Sequence, residues 1–194
     1  TKDFLDTPID FDNMVAAGSM MGSGGAIVMD EDNCMVDVAK FYMGFICDES
    51  CGKCTPCRIG TKRMLEILER ITSGRGSMED FEELEELGAV CRSNALCALG
   101  QTAANPIQST IAHFRDEYIA HVVDKKCPAH VCKDLVTYQI DPAKCKKCSI
   151  CSRRCPVEAI HGLPGKTPFE IEQERCVKCG MCLASCKFGA ITRE

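Results

Sequence analysis

The sequence predicts a protein of the α+β class, in which a helical part is followed by a cysteine-rich part with short strands. Apolar residues recur every three or four positions between residues 35 and 122, as on the buried face of helices. Two runs of four regularly spaced cysteines follow between residues 145 and 186. Between the two parts, apolar side chains alternate from Leu135 to Ile140, which is typical of a half-buried strand. A chain of 194 residues allows one or two domains with packed cores.

The cysteine content is very high, with 17 cysteines in 194 residues. No apolar run is long enough to cross a bilayer and no charged-then-apolar leader opens the chain, so we expect a cytoplasmic protein without a membrane partner. In such a compartment cysteines indicate metal ligands rather than disulfides. Exposed low-potential clusters would further favour an anaerobe. The chain begins at Thr1 without an initiator Met, so we expect a segment of a longer protein.

Charge divides the chain into an acidic and a basic part. The net charge is −5, yet residues 133–194 hold 11 Lys and Arg against 7 Asp and Glu. Five cations crowd the first cysteine run: Lys144, Lys146, Lys147, Arg153 and Arg154. They would favour the reduced state of a nearby cluster or attract an acidic redox partner, and ordinary solvated surface charge is the alternative. We expect no nucleic acid partner, because aromatic residues are not interleaved with this patch.

Residues 1–32 are expected to be the end of a preceding domain. We predict an extended piece from Phe4 to Ile9 and a strand over residues 26–29. The glycine-rich stretch at residues 22–25 is of a kind that can bind a phosphate, but it lacks the strand–turn–helix context of a complete motif. A tight turn before the strand is the simpler explanation.

Four helices are predicted over residues 33–123, and their similar lengths and short connections indicate a four-helix bundle. In chain order, their inward faces are expected to be Met35, Val38, Phe41, Tyr42 and Phe45; Met64, Leu65, Leu68 and Ile71; Phe81, Leu84, Leu87 and Val90; and Ile107, Ile111, Phe114, Tyr118 and Val122. Ser77 is expected to cap the third helix. Asn105 and Pro106 are predicted as the cap and first residue of the fourth.

The two cysteine runs share the spacing Cys-x2-Cys-x2-Cys-x3-Cys, starting at Cys145 and Cys176. This is the ligand pattern of a bacterial ferredoxin with two [4Fe-4S] clusters, in which the fourth cysteine of each run binds the other cluster. The predicted ligand sets are Cys145, Cys148, Cys151 and Cys186, and Cys176, Cys179, Cys182 and Cys155. Two zinc knuckles are the alternative, but they leave half of the pattern unexplained. The ferredoxin-like domain is placed at residues 137–194, with further strands at 159–160 and 190–191.

A third cysteine group lies between the first two predicted helices, in Glu49-Ser50-Cys51-Gly52-Lys53-Cys54-Thr55-Pro56-Cys57-Arg58. Its three cysteines lie at the start of a helix, where backbone N–H groups would offset the negative charge of a cluster. The predicted ligands of a third [4Fe-4S] cluster are Cys51, Cys54, Cys57 and Cys97. A zinc site is the alternative for this set.

The five cysteines outside these sets are Cys34, Cys47, Cys91, Cys127 and Cys132. The pair Cys127 and Cys132 lies in the linker at residues 124–136, directly after the fourth helix, and suits half of a zinc site. We predict a structural zinc held by Cys34, His121, Cys127 and Cys132. Rival ligands are His130, Cys47 and His113, and the alternative to zinc is a set of reduced buried thiols. Cys47 and Cys91 are expected to be core residues, and His161 a loop residue.

These motifs resemble a known family. The sequence from Glu49 to Arg58, with Leu96-Cys97-Ala98-Leu99-Gly100, is similar to the C-terminal region of the flavoprotein subunit of NADH:quinone oxidoreductase (complex I). The added two-cluster domain is similar to the NADH-binding beta subunit of electron-bifurcating [FeFe] hydrogenases and related NAD(P)-linked hydrogenases and formate dehydrogenases. The resemblance implies that residues 1–32 end a ubiquitin-like (SLBB-type) domain, and it supports a zinc near the joint. Lys187 departs from the pattern, because ferredoxins often have proline there.

The resemblance also implies a function. We expect the electron-transfer part of an NAD(H)-dependent, FMN-containing subunit of an electron-bifurcating hydrogenase, an oxidoreductase. In the family the FMN and NADH site and a [2Fe-2S] domain lie upstream, so no catalytic, FMN-binding or NAD-binding residue is expected here. The implied partners are a catalytic [FeFe] hydrogenase-type subunit, a small [2Fe-2S] subunit and ferredoxin, in a hetero-oligomer. The alternatives are a non-bifurcating NAD(P)-reducing hydrogenase, an NAD-dependent formate dehydrogenase, and a non-redox zinc scaffold.

Overall fold

The computed structural model describes residues 4–194, and the first three residues of the predicted 1–32 domain lie outside the described part. The helices are α1 (Phe11–Ala16), α2 (Met35–Glu49), α3 (Thr55–Thr72), α4 (Glu79–Asn94), α5 (Ala98–Thr102), α6 (Asn105–His113), α7 (Arg115–Ile119), α8 (Ile150–Arg154) and α9 (Met181–Ser185). The strands are β1 (Tyr138–Ile140), β2 (Ile160–His161), β3 (Glu170–Ile171) and β4 (Ile191–Arg193). A π-helical turn at Ala120–Asp124 follows α7, and a 3₁₀ turn at Lys133–Leu135 precedes β1.

These elements form a helical part with one hydrophobic core and a smaller part with two short sheets and a second core. The combination of helices and small sheets agrees with the predicted α+β class. Within residues 4–194, no helix combines the length and the apolar character that a bilayer-spanning helix needs.

The core of the helical part lies between α2, α3, α4 and α6, with α3 packed against both α2 and α4. Its fully buried large side chains include Met43, Met64, Ile67, Leu68, Ile71, Leu84 and Ile107. The predicted inward faces of α3 and α4 are largely confirmed. Exceptions are Leu65 and Leu87, which are partly buried at the edge of the core, and Val90, which is exposed.

The predicted inward face of α2 is wrong in part. Phe41 and Phe45 are 69% and 56% exposed, whereas Val36, Ala39 and Met43 are fully buried. Both sets follow the three-and-four spacing of a helix face, and α2 is apolar around much of its circumference. Periodicity alone therefore does not decide which side of α2 faces the core.

The start of α4 differs from the predicted cap. Met78 is the N-cap, and its side chain makes no capping hydrogen bond. The carboxylate of Asp80 instead accepts a hydrogen bond from the backbone N–H of Ser77 at 2.7 Å and pairs with Arg70 of α3. A buried carboxylate inside the first turn therefore does what the Ser77 hydroxyl was expected to do.

The predicted fourth helix is interrupted. α6 begins after an N-cap at Ala104, not Asn105, and ends at Phe114, whose φ of −132° and ψ of 36° are not helical. α7 and the π-helical turn continue the chain after this break, and the short α5 before α6 was not predicted. Beyond the break Tyr118 and His121 are both fully buried, and the Tyr118 hydroxyl lies 2.8 Å from that of Thr110.

The described part of the first 32 residues does not contain the predicted strand. Residues 25–30 have no regular structure, residues 4–9 form a turn followed by irregular chain, and the one helix there is α1. Ile27 and Val28 are 67% and 95% exposed, so no buried surface or partner strand stabilises an extended conformation. The ubiquitin-like assignment stays a prediction.

The second part has an approximate internal repeat. β1 pairs antiparallel with β4, with Ile140 opposite Ile191, and β2 pairs antiparallel with β3, with Ile160 opposite Ile171. The predicted strands at 159–160 and 190–191 form one residue later, and β1 starts only at Tyr138 because the 3₁₀ turn occupies residues 133–135. Each sheet lies beside one short helix, α8 or α9, and these helices contact each other.

Two helical glycines form a matched pair for testing the packing of the helical core. A Cβ atom at Gly60 would lie 2.5 Å from the Sγ atom of Cys91, which is fixed by a hydrogen bond to the Pro56 carbonyl, whereas a Cβ at Gly44 meets nothing within 4 Å. We expect Gly60→Ala to lower the free energy of unfolding by about 1–3 kcal/mol. Gly44→Ala should raise it by up to about 1 kcal/mol. Anaerobic thermal unfolding followed by circular dichroism measures both, and shifts of the same sign would contradict this packing.

Candidate metal centres

The first cysteine group lies in the loop between α2 and α3. Gly52 adopts a φ of 72°, and its carbonyl accepts a hydrogen bond from Arg58 Nη1 at 2.9 Å, which holds the loop against the start of α3. Cys57 is buried in the first turn of α3, whereas Cys51 is exposed. The Ser50 hydroxyl lies 3.3 Å from the Cys57 Sγ atom.

The predicted fourth member of this group belongs to a segment that meets the same loop. Cys97 is the N-cap of α5 and is exposed. The backbone N–H of the preceding residue, Leu96, is the main cause of a lowered pKa at the Cys54 thiol. A Cβ atom at Gly100 would lie 3.0 Å from the Cβ of Cys57, so only glycine allows α5 to approach α3 this closely. The fold thus brings the Cys97 segment to the other three cysteines.

The first ferredoxin-like set lines one cavity of about 360 Å³, to which Cys145, Cys148, Cys151 and Cys186 all contribute. The apolar side chains around them include Ile140, Phe169 and Ile191. Three of the cysteines come from the first run and one from the end of α9. The grouping therefore follows the crossed pattern expected from the spacing.

The second set lines a separate cavity of about 310 Å³, to which Cys155, Cys176, Cys179 and Cys182 contribute. Tyr138 and Gly180 lie at this cavity, and a Cβ on Gly180, whose φ is 73°, would approach the Tyr138 hydroxyl to 3.0 Å. Here the crossing cysteine is Cys155, from the end of α8. Each predicted set is thus assembled in its own cavity.

The chemistry of these three sets fits iron–sulfur clusters. All 17 cysteines are free of disulfide bonds. Burial raises the pKa of the Cys182 thiol to about 11, so at neutral pH a bound cation must replace its proton for it to act as a thiolate ligand. Thiolates are soft ligands that select iron–sulfur clusters or zinc, and the crossed four-cysteine sets are typical of [4Fe-4S] clusters.

A fourth group consists of Cys34, His121, Cys127 and Cys132, whose ligand atoms all lie within 4.8 Å of one another and are buried. The Cys34 and Cys132 Sγ atoms are 3.8 Å apart, and each lies 3.3 Å from His121 Nε2. Tetrahedral zinc with Zn–S bonds of about 2.3 Å places two sulfur ligands roughly 3.8 Å apart. The four residues come from the start of α2, the π-helical turn and the following loop, so their donor geometry fits a structural zinc.

Hydrogen bonds orient this group for metal binding. His121 Nδ1 lies 2.7 Å from the Glu117 carbonyl, to which it donates, so Nε2 faces the sulfurs with its lone pair. The backbone N–H groups of Val131 and Cys132 donate to Cys127 Sγ at 3.3 and 3.5 Å. Burial opposes a charged His121, but hydrogen bonds to the sulfurs of Cys127 and Cys34 raise its pKa to about 10.

The three rival zinc ligands are not part of this group. His113 packs edge-on against Phe4, with ring centroids 6.2 Å apart, and Cys47 is half-buried on α2. His130 lies between the two loop cysteines, and its Nδ1 is buried without a hydrogen-bond partner among the described residues. Sequence reasoning missed Ser50, Glu117 and Tyr138, which contact ligands or ligand loops. For Glu117, the signal was its position one helical turn before His121.

Two family models match the parts of the chain that carry these groups. Residues 37–121 match the NADH-ubiquinone oxidoreductase-F iron-sulfur binding region, and residues 137–187 match a 4Fe-4S dicluster domain. The NADP-reducing hydrogenase subunit HndC of Solidesulfovibrio fructosivorans is 60% identical over 158 residues, which are 81% of this chain and 32% of that protein. The chain is a relative of the F subunits of NADH-quinone oxidoreductases and of their hydrogenase counterparts. This confirms the resemblance inferred from the sequence, and it gives the chain 4Fe-4S binding regions.

Other relatives of the same kind match shorter stretches. An NADH-quinone oxidoreductase F subunit of Rhizobium meliloti is 44% identical over 65% of this chain and 30% of its own, and that of Mycobacterium tuberculosis is 45% identical over 66% and 29%. The chain thus spans about a third of the curated relatives it matches. The crystal structure of an NAD+-reducing [NiFe]-hydrogenase in the H2-reduced state is 35% identical over 49% of this chain and 16% of its own, with a TM-score of 0.48.

Proposed function

We propose that this chain holds three [4Fe-4S] clusters and one zinc ion, and that it is the electron-transfer part of an NAD(H)-linked, FMN-containing subunit of a cytoplasmic hydrogenase. The single observation that supports this most is the assembly of two crossed cysteine sets in two separate cavities. Simple pairs of zinc knuckles would keep each run together. The helical group at Cys51, Cys54, Cys57 and Cys97 supplies the third cluster.

When bound, such clusters accept and release single electrons. The work of the chain is to hold them and to set their surroundings. Apolar walls such as Ile140, Phe169 and Ile191 limit the access of water to the first ferredoxin-like site. Backbone and hydroxyl groups that donate to the cysteine sulfurs, including Leu96 N–H and the Ser50 hydroxyl, stabilise the negative charge of the reduced state.

A hydrogenase is favoured over a quinone-reducing complex as the parent enzyme. The hydrogenase protein HndC matches 158 residues of this chain, whereas the two quinone oxidoreductase subunits match 126 and 128. We propose that the cluster of the helical part exchanges electrons with an FMN in an upstream domain, and that the ferredoxin-like clusters form a branch towards ferredoxin. The proposed partners are a catalytic [FeFe] hydrogenase-type subunit and a small [2Fe-2S] subunit, and the proposed overall reaction is electron bifurcation between H2, NAD(H) and ferredoxin.

A non-bifurcating NADP-reducing hydrogenase is the second candidate, because HndC carries that activity in its name. An NAD-dependent formate dehydrogenase would need the same segment. The catalytic subunit that copurifies with the full-length protein distinguishes these enzymes. Ferredoxin-dependent reduction of NAD by the purified complex then separates bifurcation from simple NADP reduction.

The zinc would fix the joint between the helical part and the ferredoxin-like part. Its proposed ligands connect the start of α2 with the loop that leads to β1. A closed tetrahedral site with four protein ligands leaves no open position, which is typical of structural rather than catalytic zinc.

Metal analysis of the anaerobically purified protein tests the whole proposal. Three clusters require about 12 iron and 12 sulfide ions per chain, together with one zinc. EPR of the reduced protein should show interacting S=1/2 clusters. A protein that contains zinc alone in these sites would be the non-redox scaffold instead.

Ser50 offers a test of how the chain sets the potential of the helical cluster. Ser50→Ala removes the hydroxyl 3.3 Å from the Cys57 sulfur, so the reduced, more negative state should lose more stabilisation than the oxidised one. If that difference is about 0.5–1 kcal/mol, the midpoint potential falls by roughly 20–40 mV. An EPR-monitored redox titration measures it. Ser109→Ala, which removes only an exposed hydroxyl on α6, is the control and should leave the potential unchanged.

A further inference from the structure

The two ferredoxin-like sites follow one template but differ in charge. Lys146 and Lys187 line the cavity of the Cys145 set, and Ile150, which also lines it, contacts the same small surface cavity as Arg153 and Arg154. We call Lys146, Arg153, Arg154 and Lys187 the basic rim. All four are exposed, and none has a carboxylate within 4.0 Å among residues 4–194.

The equivalent positions of the other repeat carry no charge. Aligning the two cysteine runs places Val177 opposite Lys146, Pro156 opposite Lys187, and Ala184 and Ser185 opposite the two arginines. Every residue that lines the cavity of the Cys176 set is either uncharged or a cysteine, and the exposed side chains at its edge are Val177 and Met181. A repeat that needed only solubility would have no reason to concentrate its unpaired cations at one of two equivalent sites.

We propose that the basic rim is the docking surface for an acidic, diffusing electron-carrier protein, and that the cluster held by the Cys145 set is the one that exchanges electrons with it. Unpaired cations around a redox site attract a carrier of opposite charge and orient it, which raises the rate of encounter. Cys148 is exposed at this site, so a docked carrier would approach the cluster ligands directly. The apolar edge of the other site does not offer this attraction.

This inference rests on the proposed function, because it requires a cluster at the Cys145 set. One electron moves between that cluster and the docked carrier, so that one is reduced as the other is oxidised. No bond or proton changes hands in this step. Binding itself depends on charge alone and can be measured with both proteins oxidised.

The test compares two triple variants of the purified complex with equal changes in net charge. The rim variant is Lys146→Gln, Arg153→Gln and Lys187→Gln, and the control variant is Lys133→Gln, Arg175→Gln and Arg193→Gln, which lie outside the Cys145 site. The probe is an acidic two-cluster ferredoxin, oxidised, and the readout is its dissociation constant by calorimetry at low and high salt. We expect the rim variant to weaken binding at least 10-fold at low salt and to lose most of the salt dependence, and the control variant to change it less than 3-fold.

Probes of opposite charge and metal content sharpen the outcome. A basic cytochrome c should bind the rim variant no more weakly than the wild type. Equal losses in both triple variants, or none in either, would overturn the docking surface. If the rim variant lacks iron, Arg153→Gln with Arg154→Gln replaces it, because these two side chains do not line the cavity. Wild-type protein without iron would refute the proposed function, whereas full iron with rim-independent binding would refute the docking surface alone.

Discussion

Replacing Cys145 and Cys186 together by alanine is expected to remove one cluster, whereas replacing Cys145 and Cys155 together is expected to remove two. The reason is the crossed grouping, in which Cys186 lines the cavity of the Cys145 set and Cys155 lines the other. Iron should fall from about 12 to about 8 ions per chain in the first variant and to about 4 in the second. Iron and acid-labile sulfide analysis of anaerobic protein measures both.

The same pair of variants excludes the uncrossed arrangement. If each run held its own cluster, the iron contents of the two variants would be exchanged. Zinc serves as an internal control, because its proposed ligands are untouched and about one ion per chain should remain in both. EPR should lose the interaction between neighbouring clusters in both variants, while the signal of the helical cluster persists.

Removal of the zinc is expected to destabilise the helical part more than any other single change. Cys34→Ser takes away a fully buried ligand that also begins α2 and accepts a hydrogen bond from the Asp37 backbone N–H. Breaking a structural zinc site releases binding energy that otherwise contributes to folding, so we expect a loss of several kcal/mol and a fall in Tm of roughly 10 °C or more. Zinc analysis and anaerobic thermal unfolding measure the two effects.

Cys47→Ser is the matched control for this variant. Cys47 lies on the same helix, is half-buried and belongs to none of the four groups. It should retain about one zinc, and its Tm should change by no more than a few degrees. A Cys34→Ser protein that keeps zinc and full stability would show that buried thiols alone stabilise this joint.

The cysteine sets of the ferredoxin-like part could be predicted because their information is local. Cysteines two and three residues apart can reach one cluster only in a few ways, so the spacing itself encodes the ligands. The strands that follow each run were found for a similar reason, since Ile160 and Ile191 lie in short apolar segments that begin within a residue of the predicted positions. Turns with positive φ, as at Ser149 and Gly180, shape the two loops.

Elements whose choice depends on distant partners were predicted less well. The spacing in α2 permitted either Phe41 and Phe45 or Val36 and Met43 to face inward, and only the position of α3 decides for the second pair. The strand expected at residues 26–29 found no partner among the described residues. The break at Phe114 left no recognisable signal in the apolar periodicity of residues 107–122.

By itself the sequence determined the α+β class, the three cysteine sets and the family resemblance, because each rests on spacing along the chain. Only the tertiary structure decided which histidine meets the leftover cysteines. Cys34 and Cys132 are 98 positions apart, yet their sulfurs lie 3.8 Å from each other, and His121 stands between them because α6 and α7 turn at Phe114. Contacts between distant segments are fixed by how the helices pack against one another, and no local pattern contains that information.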